Sequence, residues 1–88
     1  MTLKEIGEDK FEEYVLKSDA PVIVDLWKED CGPCQVLRKV LETVAEETED
    51  VRFYSIKAAD APEIINRYLV MTLPTLLCFA GGKRKRKR

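Results

Sequence analysis

Cys31 and Cys34 flank Gly32 and Pro33, a spacing suited to thiol–disulfide exchange. That reaction needs one thiolate to attack a disulfide and a second thiol near enough to resolve the mixed disulfide. Two intervening residues let the pair close a small ring. The pair lies between an apolar, β-branched run, Val22–Trp27, and a long amphipathic stretch, so the predicted order is buried strand, turn, helix. Unpaired N–H groups at a helix N-terminus favour negative charge. Cys31 is therefore the expected nucleophile, and Cys34, one turn in, the expected resolving thiol. The alternative for the pair is a redox-inactive remnant. Zinc is disfavoured, because the chain has no histidine and Cys78 is its one further cysteine. Cys78 itself reads as a buried small hydrophobe in an apolar strand. Without histidine, Cys–His and Ser–His catalysis are excluded as well.

The elements that must hold this pair alternate along the chain. Thr2–Ile6 reads as a short strand. Glu8–Lys17 reads as a helix, with Phe11, Tyr14 and Val15 on one face. Ser18–Pro21 breaks it before the strand Val22–Trp27, whose apolar run is interrupted by Asp25. After the cysteines a helix is predicted to about Thr48. Pro33 sits in its first turn, and Val36, Leu37, Val40, Leu41 and Val44 form its core stripe. A strand Val51–Lys57, a short helix Ala61–Tyr68 and a strand Thr75–Ala80 follow, with Gly81-Gly82 as a turn. This order predicts an α/β fold with a central sheet.

At 88 residues, 45% hydrophobic and 35% charged, the chain fits one small globular domain and not a multidomain enzyme or a disordered chain. Its longest apolar runs fall far short of the ~20 residues of a membrane helix. Met1–Glu5 has no signal-peptide character, which makes the cytoplasm the expected location. The net charge of −1 conceals an asymmetry. Residues 1–82 hold 9 Lys and Arg against 16 Asp and Glu, while Lys83–Arg88 are all basic.

Val24-Asp25-Leu26-Trp27, then Cys31-Gly32-Pro33-Cys34, then Leu73-Pro74-Thr75-Leu76-Leu77, resembles the thioredoxin family over roughly residues 3–82. The resemblance implies a thioredoxin-like fold, a central mixed β-sheet flanked by helices. It implies a protein-disulfide reductase with no cofactor of its own, acting on disulfide-containing proteins and receiving electrons from a thioredoxin-reductase-like donor. By the same resemblance, Pro74 is a cis proline facing the cysteines, and Asp25 is a buried carboxylate behind Cys34. In an apolar strand such a carboxyl has a raised pKa and can relay a proton. Trp27 corresponds to the aromatic beside the active site. Trp27, Gly32, Pro33, Leu73 and Pro74 are the expected substrate contacts, with the substrate backbone pairing beside Pro74.

Four departures from the family pattern stand out. Asp30 replaces a tryptophan before the first cysteine, which removes a docking surface and disfavours the thiolate. Ser55 stands where a lysine near the buried Asp is frequent, and Ala59 where an aspartate is common. Family members continue with a further strand and a final helix. Here residues 83–88 are expected to supply a basic tail or a short edge strand, with the usual C-terminal helix lacking and one sheet face losing cover. The domain is accordingly set at residues 1–82. The tail blocks edge pairing or holds nucleic acid or an anionic surface weakly. The rival to a reductase is a redox-weak binding module that recruits a partner through the tail or the exposed sheet face.

Overall fold

Val22–Trp27 is apolar at five of six positions, and the sheet grows outward from it on both edges. In the computed structural model, which describes residues 2–85, five strands form: β1 (Leu3–Glu5), β2 (Val22–Trp27), β3 (Arg52–Lys57), β4 (Thr75–Ala80) and β5 (Lys83–Lys85). Their order across the sheet is β1-β3-β2-β4-β5. β3 pairs parallel to both β1 and β2, while β4 pairs antiparallel to β2 and to β5, so the sheet is mixed. The predicted edge strand at the basic end is β5, and residues 86–88 lie outside the described residues.

Strand alternation divides the side chains between two layers. Val22, Val24 and Leu26 of β2 join Tyr54, Ile56, Leu77 and Phe79 in the larger core. Phe11, Val15 and Ile64 cover that face from the helical segments. The opposite face is smaller: Leu41 and Ala45 of α1 (Gly32–Glu46) pack on Phe53, with Leu3, Ile23, Leu37 and Val51 at the margins. A polar tie closes the first layer. The Glu8 carboxylate accepts from the Ile64 N–H at 2.8 Å, capping the first turn of α2 (Pro62–Arg67) from the far end of the chain.

The structure departs from the sequence reading in three places. Glu8–Lys17 is not a regular α-helix but a 3-10 turn, Glu8–Lys10, followed by a π-helical segment, Glu12–Leu16. Lys17 N–H bonds the Glu12 carbonyl five residues back, and the wider turn still leaves Phe11 and Val15 buried. The stripe on α1 is only partly core. Leu41 is buried, but Val36 is 66% exposed, Val40 51% and Val44 39%, because the sheet reaches the Leu37–Leu41–Ala45 side of the helix. Cys78 is exposed rather than buried. Its neighbours Leu77 and Phe79 take the larger core, and alternation turns Cys78 and Leu76 to the other face, where both are exposed.

The β4–β5 turn fixes the last strand. Gly81 and Gly82 have φ of 61° and 79°, the sign that a two-residue hairpin with the native twist requires. A Cβ on Gly82 would stand 2.5 Å from the Leu16 carbonyl oxygen, so the turn also packs on the end of the π-helical segment. Gly82→Ala is expected to lower unfolding stability by about 1–3 kcal/mol in urea titrations. An unchanged midpoint would mean that the turn relaxes freely.

Candidate active site

The site forms where β2 ends and α1 begins. Cys31 is the N-cap of α1, with extended backbone (φ −127°, ψ 102°), and its Sγ accepts a hydrogen bond from the Cys34 N–H at 3.2 Å. Gly32 and Pro33 fill the first helical positions, where Pro33 gives up no needed donor. Cys31 and Cys34 are joined as a disulfide, with Cα atoms 5.3 Å apart, and both are buried. In the reduced pair, the same N–H groups and helix N-terminus favour a thiolate on Cys31. Asp30 immediately precedes the nucleophile. It sits at φ 54°, a backbone conformation that Asp tolerates better than most residues.

The remaining predicted residues gather at the same end of the sheet. Trp27 closes β2 and is half-buried. The Leu73–Pro74 bond is cis and leads directly into β4, where Thr75 is in register with Leu26. A cleft of about 630 Å³ is lined by Trp27, Lys28, Cys34 and Arg38 among others. A second groove of about 690 Å³ runs past Leu73, Met71 and Val70 and shares Lys28 with the first. Met71 is 89% exposed in that groove. Nothing in the sequence singled it out, because a lone apolar residue in a loop carries no periodic signal.

Asp25 lies two residues before Trp27 on the face that α1 covers. It is fully buried, and neither carboxylate oxygen has a hydrogen-bond partner within the described residues. Burial raises its pKa from 3.8 to about 6, against a lowering by the Arg38 guanidinium and a further raising by the Glu5 carboxylate. The raised pKa agrees with the sequence reading of a carboxyl in an apolar strand.

Arg38 was not anticipated. It reaches from α1, one helical turn past Cys34, and donates to Ser55 Oγ at 2.9 Å and to Glu5 Oε1 at 3.4 Å. Its guanidinium lies 5.0 Å from the centre of the Trp27 ring, while Trp27 Nε1 donates to the same Glu5 carboxylate. Lys57, paired with Glu29 at 3.2 Å, stands 5.9 Å from the centre of the same ring. The signal available in the sequence was the i+4 spacing of Arg38 from Cys34, which puts both on one side of a helix.

Linkage gives the sign of the pH effect. With a folded pKa above the unfolded value, the native state binds more protons than the unfolded state between about pH 4 and 6. Stability therefore falls as pH rises through this window and levels off above the folded pKa, by roughly 3 kcal/mol in total. Urea unfolding of the oxidised protein is expected to show about 2 kcal/mol of this loss between pH 4.5 and pH 8, the rest falling below pH 4.5, and Asp25→Asn is expected to remove it. Equal losses in both proteins would mean that Asp25 ionises without cost.

Comparison with known proteins agrees with this arrangement. A family model, Thioredoxin, matches residues 2–88. Thioredoxin of Rickettsia bellii is 37% identical over 81 residues, 91% of this chain and 77% of that protein. Thioredoxin of Acidithiobacillus ferridurans is 40% identical over 79 residues, 89% of this chain and 73% of that protein. The crystal structure of chloroplastic thioredoxin z superposes with a TM-score of 0.83 at 29% identity, covering 92% of this chain and 73% of that one. Family match, relatives and fold converge on the cysteine pair, and the chain belongs to the thioredoxin family of protein dithiol–disulfide oxidoreductases.

Proposed function

We propose that the protein reduces disulfides in other proteins, with Cys31 as nucleophile, Cys34 as resolving thiol and Asp25 as proton acceptor. The observation that carries this reading is the Cys31 sulfur at the mouth of α1, hydrogen-bonded by the Cys34 N–H. The Cys31 thiolate attacks one sulfur of the substrate disulfide and expels the other as a thiolate. Cys34 passes its proton to Asp25, and its thiolate attacks Cys31 Sγ. The mixed disulfide breaks, the second substrate thiolate leaves, and the Cys31–Cys34 disulfide closes. Two electrons have then moved to the substrate. An external dithiol donor, a thioredoxin-reductase-like enzyme by family analogy, restores the pair and makes the protein a step in electron transport.

In this reading the substrate backbone runs beside Leu73 and Pro74, against Trp27, Gly32 and Pro33. An open approach supports it: a Cβ placed on Gly32 would meet no atom within 4 Å. A cytoplasmic location fits the reducing direction, and no described helix is long and apolar enough to cross a membrane. Nucleic-acid contact is left out of the reading. Arg84 donates to the Tyr68 carbonyl and lies over its ring, and the exposed Lys83 and Lys85 suit protection of an edge strand.

Reduction of insulin with dithiothreitol as electron source tests the proposal. The intact protein is expected to accelerate it well above background, and Cys34→Ser is expected to stop turnover while trapping a mixed disulfide on Cys31. A folded protein with no rate above background would leave only a binding role. Asp30→Asn keeps the side-chain shape at a left-handed position and removes the charge. Alkylation of reduced Cys31 by iodoacetamide at pH 6 is expected to rise about two- to threefold, a modest effect because the Asp30 charge is exposed and screened. An unchanged rate would mean that Asp30 does not act on the thiolate.

A further inference from the structure

We propose that Arg38, held by Ser55 and Glu5 against the Trp27 ring, is a positioning residue that governs proton exchange at Asp25. The inference rests on the proton-acceptor reading of Asp25 for its consequence in turnover, but not for its test. Asp25 and Ser55 are directly opposite on the parallel pair β2–β3, where neighbouring strands lie about 4.8 Å apart. Both side chains are fully buried. The Arg38 bond to Ser55 Oγ therefore places a guanidinium at the residue paired with Asp25, whose carboxylate has no hydrogen-bond partner of its own among the described residues. Its attraction favours the ionised carboxylate.

Glu5 makes this a balance. Its carboxylate, on β1, takes the same Arg38 nitrogen at 3.4 Å and also accepts from the Trp27 indole. The cation is thus shared between a half-exposed carboxylate at the rim and a buried one beneath it. The other groups on this face are Cys34 on α1, Lys57 on β3, which pairs with Glu29, and Leu76 and Cys78 on β4. Cys31 lies past the end of β2. Among these described groups Arg38 is the cation that bonds the residue opposite Asp25. Because Arg38 stands one turn past Cys34 on α1, it is fixed to the same helix that carries the thiol whose proton Asp25 takes.

Removing the two charges has opposite consequences, which a merely structural role would not produce. Carbon-13 NMR titration of the Asp25 carboxyl in the oxidised protein reads them directly. Arg38→Met is expected to move the titration alkaline by roughly half to one pH unit, the guanidinium being partly screened by solvent. Arg38→Lys is expected to recover most of that shift. Glu5→Gln is expected to move the titration the other way, because it removes a carboxylate that raises Asp25 and frees the cation for it. The pH profile of mixed-disulfide resolution should follow, with Arg38→Met slowing resolution roughly threefold at pH 5, on the acid side of the titration, where a half-unit shift cuts the ionised fraction by that factor. A titration that Arg38→Met leaves in place, or that both charge removals move in one direction, overturns the proposal. Should Arg38→Met not fold, Ser55→Ala decides, because it releases the guanidinium from the residue paired with Asp25: an alkaline shift supports the proposal and no shift overturns it. Asp25→Asn separates the two readings. If its resolution step keeps the wild-type pH profile, the proton-acceptor role of Asp25 fails, while the NMR titration still decides what Arg38 does.

Discussion

The placement of β2 at the centre of the sheet is the constraint on which the rest of the structure depends. Both its edges are paired and both its faces are covered, so its side chains are almost wholly withdrawn from water. That burial fixes the register of β3 and β4, because slipping by one residue would turn Val24 and Leu26 out of the larger core. It also fixes where the chain emerges. Trp27 ends the strand at the sheet rim, and the cysteines follow at the start of a helix that returns over the second face. The position of the thiols is thus set by the packing of residues several positions before them.

The same strand carries, among the described residues, the one buried carboxylate without a hydrogen-bond partner. Asp25 costs stability when ionised, since burial penalises the charge and no donor compensates it. The fold tolerates this because the larger core is on the other face, where Leu26, Ile56 and Leu77 are fully buried. Around Asp25, by contrast, the smaller layer is polar at its rim. Glu5, Trp27, Arg38 and Ser55 share hydrogen bonds drawn from four different elements. A raised carboxyl pKa suits the proton-acceptor role proposed for Asp25, and its environment combines burial with partial access to charge.

Cover of the two faces is uneven. The layer containing Phe11, Tyr68 and Phe79 is closed by aromatic contacts with ring centres 5.4–6.0 Å apart. On the α1 side, Val36, Val40, Val44 and Leu76 stay partly open to solvent, beside the exposed Cys78. This chain covers 77% of the Rickettsia bellii relative's length, so the comparison concerns the shared portion of the fold. Within it, β5 and its Tyr68-anchored Arg84 finish the β4 edge.

Much of this was legible in the residue order. The strand Thr75–Ala80 was read to the residue, as was Val22–Trp27, because β-branched and apolar runs bounded by Pro and Gly leave little choice of period. The cysteine spacing, the helix that follows it and the Leu73–Pro74 strand entry identified the chemistry, since exchange depends on local geometry that four consecutive residues carry. Helical periodicity misjudged Val36 and Val40, because an apolar face says that burial is favourable, not how much sheet is present to supply it. It likewise could not place Cys78, whose side is decided by which neighbours take the larger core. The cation at Asp25 belonged to the tertiary structure alone. Ser55, Arg38 and Glu5 are 17 and 33 positions apart in the pairs that join them, and electrostatic energy depends on distance through space rather than along the chain.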